Sequence, residues 1–396
     1  MTAAGCSGKP VEVVEGRPAM DTVVTVRAIA PSDAVARQAL DAAWQEMDLC
    51  VALLDRHRAP SEDWLKGKPE ARKDPRQQPS DVWRINADAG KWHTAVDPIV
   101  TTCLAAAKEV YGLSGGAFDP TVGPLVDLWK KAQEEGKPPS DDAVAKARSL
   151  VGMDKVEVLI AKVQKAPEEM PFVPPGAEPT NPEDLVKVLH SVGLRAGMRL
   201  DLGGIAKGYI AGRMAQRMKQ AGATAGLVAA AGDVYAFGER PASLVRDGGD
   251  RRWGVAVLDP RFPDDRTRFY TAVHVRDQAV DTSGHYYRGY TIEGKRYSHI
   301  IDPRSGRPVD TRLASVTVVA DDPAFSDAMA TAIAVLGVKD GLALVEKTDG
   351  VECLLLEAVL KEGQTDQASG APPADAELVA HRSKGFAALE FKPPAE

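Results

Sequence analysis

Asp281-Thr-Ser-Gly-His-Tyr-Tyr-Arg288, Tyr297-Ser-His-Ile-Ile-Asp-Pro303 and Ser326-Asp-Ala-Met-Ala-Thr331 are three pieces of a single stretch on which the rest of the chain is organised. Small residues, hydroxyls, histidine and carboxylates gather there. Between the last two pieces, Ser315-Val-Thr-Val-Val319 is a β-branched run that predicts a strand. Asp321-Asp322-Pro323 then predicts a turn that starts a helix. On such a helix Asp327 and Thr331 are four residues apart and share one face. A carboxylate and a hydroxyl so placed suit a hard cation such as Mg²⁺, which takes oxygen ligands and leaves positions open for phosphate. The same spacing also suits a capping or water-facing pair, and the spacing alone does not choose.

The 396 residues carry a formal charge of −7 and a pI near 5.6, with 44% hydrophobic and 27% charged residues. That balance is ordinary for a globular protein able to bury a sizeable core. It excludes a nucleic-acid surface, since no Lys/Arg run or basic aromatic platform occurs. An acidic substrate therefore needs a local metal or a local cation. No apolar run is read as approaching the ~20 residues that span a bilayer. Thr2-Ala-Ala-Gly-Cys-Ser7 resembles the end of a bacterial lipoprotein signal, although Ala3 stands where a larger apolar residue is usual and no apolar segment precedes it. The expectation is a lipid anchor at Cys6, with residues 1–10 as a tether on the periplasmic side of the cytoplasmic membrane. Cys50, Cys103 and Cys353 lack metal-ligand spacing and read as buried thiols.

Along the chain, Thr22–Ile29 predicts a strand after a turn at Met20, and a long helix follows Ser32 with Leu40, Trp44, Met47, Val51 and Leu54 at core spacing. Asp97-Pro98 starts another helix, whose inward stripe is Ile99, Cys103, Ala107 and Val110. Ser114-Gly-Gly-Ala-Phe-Asp-Pro-Thr-Val-Gly-Pro124 is too rich in glycine and proline for helix or strand. It reads either as a plain turn or as a loop bringing amides, the Phe118 ring and the Asp119 carboxylate to a ligand. Arg199-Leu-Asp-Leu-Gly-Gly-Ile-Ala-Lys-Gly208 predicts the end of a strand and the start of a helix buried through Ala206, Ile210, Met214 and Met218. A Gly-Gly pair there exposes amides to an anion, and Lys207 adds a point charge suited to phosphate. The spacing is not that of a Walker loop. Ser140–Leu150, Lys339–Lys347 and Val351–Leu356 predict a polar helix, a helix and a buried strand. Segments 59–79, 166–182 and 363–377 read as surface insertions.

Together, Asp201-Leu-Gly-Gly-Ile-Ala-Lys-Gly208, Ser298-His-Ile-Ile-Asp-Pro303, Asp327-Ala-Met-Ala-Thr331 and Gly115-Gly-Ala-Phe-Asp-Pro-Thr-Val122 resemble the ApbE family of FAD:protein FMN transferases. Each block alone is weak, and four in register are specific. The resemblance implies a single α+β domain over residues 11–392, related to the T-fold, with mixed or antiparallel sheets packed against helices. It implies FAD as substrate, Mg²⁺ as cofactor, and an acceptor protein that receives FMN through its phosphate on a threonine or serine. By resemblance, Asp327 and Thr331 are metal ligands with the carbonyls of Gly204 and Ala330. Met20, Ala117, Phe118, Asp119, Asp201, Lys207, Ser283, Gly284, His299 and Ile300 are flavin-nucleotide contacts. His299 is also the leading base for the acceptor hydroxyl, because an imidazole titrates near neutrality.

Three departures stand out. Ala229-Ala-Ala-Gly-Asp233 replaces the family's Asn and Gly-Gly pair, Asp55-Arg-His57 stands where a Ser-Thr-Tyr turn is common, and Asp281 occupies a position usually held by a small residue. With water as acceptor the same apparatus would be an FAD pyrophosphatase, and without turnover a flavin-binding or assembly module. A redox flavoprotein fits less well, because no G-x-G-x-x-G opens a strand–helix unit.

Overall fold

Strand Thr22–Ala30 buries Val24, Val26, Ala28 and Ala30, the two-residue period of a pleated strand with one face on a core. It pairs antiparallel with strand Val11–Ala19, and Ala19 lies opposite Thr22, so Met20 and Asp21 form the whole turn. Both have positive φ, 50° and 58°. Two left-handed residues in succession match the twist of a hairpin but cost strain when neither is glycine. The outer strand of this pair escapes the sequence reading because Gly16 and Pro18 interrupt it. Proline is tolerated there because the strand lies at the edge of its sheet.

The computed structural model describes residues 9–74, 77–164, 186–245, 249–284, 289–309, 312–361 and 370–391. Its main sheet has eight strands, in the order Val11–Ala19, Thr22–Ala30, Ala225–Ala230, Asp233–Phe237, Gln278–Ser283, Leu313–Ala320, Glu352–Val359 and Glu377–Arg382, each pair antiparallel. Helices Asp33–Leu54, Pro98–Leu113, Ala206–Gln220 and Pro323–Val345 contribute to the core on one face. A three-stranded sheet, Trp253–Leu258, Phe269–Val275 and Glu390–Phe391, belongs with the core on the other. Strand Leu313–Ala320 is buried at every position, as a strand covered on both faces must be. The architecture is α+β with antiparallel sheets, and among the described residues no sheet closes into a barrel.

Asp322 caps helix Pro323–Val345, its side chain accepting from the Phe325 N–H at 2.9 Å, with Pro323 at the first position. The helix buries Ala328, Met329, Ala332 and Ile333 and exposes Lys339 and Asp340 toward its end. It corrects one expectation, because by length and composition alone it is apolar enough to cross a membrane. In the fold it lies against strands Gln278–Ser283 and Leu313–Ala320 and helices Pro98–Leu113 and Ala206–Gln220. Gly337, at φ 77°, breaks its helical backbone. Helix Ala206–Gln220 crosses it at Gly208, where a β-carbon would lie 2.1 Å from the Pro323 carbonyl oxygen and 2.7 Å from the Asp327 β-carbon. Only glycine permits that approach.

The remaining helical expectations agree with the caps observed. Ser32 and Asp97 accept from Val35 and Ile99, and Ser140 opens helix Asp141–Ser149. The three central cysteines are free and buried, and burial pushes the Cys50 and Cys353 thiols up to about 12. Residues 199–201 correct the reading of a strand: Arg199 forms one isolated bridge to Val122, and Asn86 takes the backbone of Leu200 at both its N–H and its carbonyl. Segment 59–79 contains helices Glu62–Leu65 and Pro69–Lys73, and Ala71 is buried. Segment 166–182, residues 363–369 and the Cys6 anchor lie outside the described residues.

Candidate active site

The register of the main sheet builds the site. Asp281 pairs with Asp233 on one side and Val318 on the other. Val318 belongs to the core under the helices, whereas Val280 and Val319 belong to the opposite core. Alternation therefore directs Asp233 and Asp281 to the helix face, where Asp327 enters from its helix and Lys207 from the first turn of the neighbouring one. All three aspartates are buried, at 2%, 1% and 3% exposure. Lys207 forms an ion pair with Asp233, and the Gly208 N–H donates to Asp327 Oδ2 at 3.0 Å. One ammonium thus faces three carboxyl groups in a layer with little water.

Electrostatics follow from that count. Burial, then repulsion from Asp233, push the Asp327 carboxyl up to about 7, although Lys207 and the Gly208 N–H pull it down. Burial and the neighbouring Asp233 and Asp327 raise Asp281 well above the carboxylate range. Asp233 is raised by burial against the pull of Lys207. Burial pulls the Lys207 ammonium down, but Asp233, Asp327 and Asp281 outweigh it and hold it above its ordinary value. Among the described residues, neither carboxylate oxygen of Asp281 has a hydrogen-bond partner. A buried polar group without a partner is costly unless something supplies the missing charge.

Thr331 meets the glycine pair. A β-carbon on Gly204 would lie 3.0 Å from Thr331 Oγ1 and 3.3 Å from Phe118 Cε2, so these three residues from separate segments converge. Ala117 and Phe118 are buried there, and the Phe118 N–H donates to Ser114 Oγ at 3.1 Å. The Asp119 carboxylate ties its own loop to the turn at Met153: it accepts from Thr121 N–H at 2.8 Å, Thr121 Oγ1 at 2.6 Å and Met153 N–H at 3.2 Å. Asp201 Oδ1 accepts from Gly203 N–H at 2.9 Å, and its Oδ2 accepts from Arg56 at 2.7 Å. Arg56 also pairs with Asp127.

The other sequence candidates are placed as follows. Met20 is half-buried in its hairpin turn and packs on the main core. Ser283 ends strand Gln278–Ser283 on the Asp281 face, and Gly284 is buried next to it. His299 is half-buried in the turn after strand Lys295–Ser298, and Ile300 is buried in the core with its N–H on Ser298 Oγ at 3.1 Å. Ala330 is buried inside the helix, where its carbonyl already faces the amide four residues on. Lys207, Gly204, Phe118, Asp327 and Thr331 form one neighbourhood. Asp233, Asp281 and Arg56 belong to the same polar layer or its margin and were missing from the candidate residues. The available signals were an aspartate closing an Ala-Gly turn, an aspartate in a β-branched strand, and an arginine inside the Asp55-Arg-His57 departure.

Comparison with known proteins bears on the family and the fold. A sequence model of the ApbE family matches residues 20–355. The FAD:protein FMN transferase of Treponema pallidum is 33% identical over 274 residues, 69% of each chain. That of Escherichia coli strain K12 is 28% identical over 291 residues, 73% of this chain and 71% of the other. Among solved structures, the apo flavinyl transferase ApbE of Pseudomonas stutzeri superposes with a TM-score of 0.67 at 24% identity, over 96% of this chain and 97% of that one. The ApbE protein of Thermotoga maritima gives 0.67 at 24% identity, over 97% and 100%. With a family match across most of its length and the same fold, this chain belongs to the ApbE family.

Proposed function

We propose that the protein is a Mg²⁺-dependent FAD:protein FMN transferase that joins FMN through a phosphoester to a threonine or serine of a partner protein and releases AMP. The observation that carries this reading is the meeting of Thr331 with Gly204 on a helix whose Asp327 caps the Lys207 turn. An oxygen-rich corner with a surplus of buried carboxyl groups fits a hard cation. Asp327, Thr331 and the carbonyls of Gly204 and Ala330 would hold it. When bound, Mg²⁺ supplies charge neutralisation at the pyrophosphate.

The chain's own residues do the rest. Phe118 and Met20 offer apolar surface to the flavin. Lys207 and the amides near Gly203 and Gly204 steady the phosphates, and Asp201, Ser283, Gly284 and Ile300 border the nucleotide. The acceptor hydroxyl oxygen bonds to the phosphorus of the FMN half as the bond to the AMP oxygen breaks. His299 takes the hydroxyl proton, and AMP carries away the bridging oxygen. We place the acceptor on the periplasmic side of the membrane, within reach of a protein anchored at Cys6.

Mass spectrometry of a threonine-bearing acceptor domain incubated with the protein, FAD and Mg²⁺ tests the reading, with nucleotide analysis for AMP. An FMN-sized gain accompanied by AMP, and lost in Asp327→Ala, is expected, with a slower gain in His299→Ala. AMP without an adduct would assign hydrolysis instead. Neither product from FAD-loaded protein would leave a binding module.

A further inference from the structure

We infer that Asp281 is an additional carboxylate arm of the divalent-cation site at Asp327. The inference rests on the cation reading just proposed and adds a ligand to it. Asp281 is 1% exposed, and neither of its oxygens has a hydrogen-bond partner among the described residues. Its register against Asp233 and Val318 turns it toward the helices. Asp233 and Asp327 raise its proton affinity while the Ser326 hydroxyl and Lys207 lower it, and that hydroxyl is spent on the Val318 carbonyl at 3.2 Å, so the charged groups facing Asp281 are those of the site.

The Lys207 ammonium is already engaged by Asp233. Asp327 retains one oxygen beyond the bond from Gly208, and Asp281 retains both. Two carboxyl groups sharing a dry layer without a second cation repel each other and lose hydration. A divalent cation removes both penalties at once. Carboxylate number raises the affinity of an oxygen site, so a site with Asp281 binds the ion more tightly than one built on Asp327 and Thr331 alone.

The test is Mn²⁺ binding to the full chain without FAD, followed by calorimetry and by the electron spin resonance of free Mn²⁺, with melting temperature read in the same samples. Asp281→Asn and Asp281→Ser should each weaken Mn²⁺ by roughly 10- to 100-fold, the loss typical of a supporting metal contact. The metal-free variants should melt no lower than the parent, and the Mn²⁺-induced rise in melting temperature should shrink. Using two variants guards against one that folds poorly. Unchanged Mn²⁺ affinity in either folded variant, with binding lost in Asp327→Ala, would overturn the inference and leave the proposed cation site standing. Unchanged affinity in Asp327→Ala as well would overturn both.

Discussion

Val280 and Asp281 are neighbours on one strand and almost equally buried, at 2% and 1% exposure, yet they face opposite layers. Val280 joins Val319, Leu354, Leu356, Trp253 and Phe386 in a core formed between two sheets. Asp281 joins Asp233, Asp327 and Lys207 beneath the helices. The first side is stabilised by the apolar area it removes from water, about 25 cal/mol per Å². The second side buries apolar area too, but its carboxyl layer gives up stability, because those groups lose hydration without enough partners. The helix face thus carries a small polar layer, kept at the expense of stability, inside the larger of the two apolar cores, and such a layer is the usual signature of a functional site.

Exchanging the chemistry across this strand is the most severe way to break the contrast. Val280→Asp places a carboxylate in the layer of Val319, Leu354 and Leu356, and should destabilise the protein by on the order of 3–5 kcal/mol, read from urea midpoints. Phe386, fully buried on the same side, makes a subtler test. Phe386→Ala should cost a comparable ~3–5 kcal/mol while leaving Mn²⁺ affinity unchanged in the folded fraction. If that affinity falls, the two faces are not independent.

A pH series sharpens the polar side. Asp327 is raised from 3.8 to about 7 in the fold, so the folded protein holds a proton that the unfolded chain releases. This contribution is fully present below about 4 and is lost as pH rises through about 7. Metal-free protein should therefore lose stability between these limits relative to Asp327→Asn, as measured by paired chemical denaturation. A parent and variant with parallel profiles would remove Asp327 from the account.

The smallest effect concerns the turn that presents Asp233. Ala231 holds φ 58°, a region that costs an L-residue about 1–2 kcal/mol, in part offset in the unfolded chain by the greater freedom of glycine. Ala231→Gly should stabilise by up to about 1 kcal/mol in thermal melts. The same substitution should leave Phe386 and its layer undisturbed.

Much of the architecture is legible from local chemistry. The Asp322-Pro323 start, the Asp97-Pro98 start and the helical stripe at Ile210, Met214 and Met218 all appear where periodicity and capping put them. Strand Val11–Ala19 was not legible, because an edge strand tolerates the glycine and proline that read as breakers. The long apolar helix is not legible either, since Asp327, Lys339 and Asp340 divide its apolar residues in the sequence, while the fold sets it against two strands and two other helices. At the site, Asp119 shows the limit of motif reading. Its loop was identified, but only the fold shows the carboxylate spent on Thr121 and Met153.

By itself the sequence determined that Asp327 and Thr331 share a helix face, that Lys207 opens a helix behind a glycine pair, and that four blocks stand in the order of one family. Only the tertiary structure decided that Asp233 and Asp281 lie beside them. Helical spacing is local and repeats every 3.6 residues, so it can be counted along the chain. Which face of a sheet a residue occupies depends on pairing between strands far apart in sequence, and a shift of one residue would reverse it. The placement of Asp281 opposite Asp233, and of both beneath Asp327, is a property of that register.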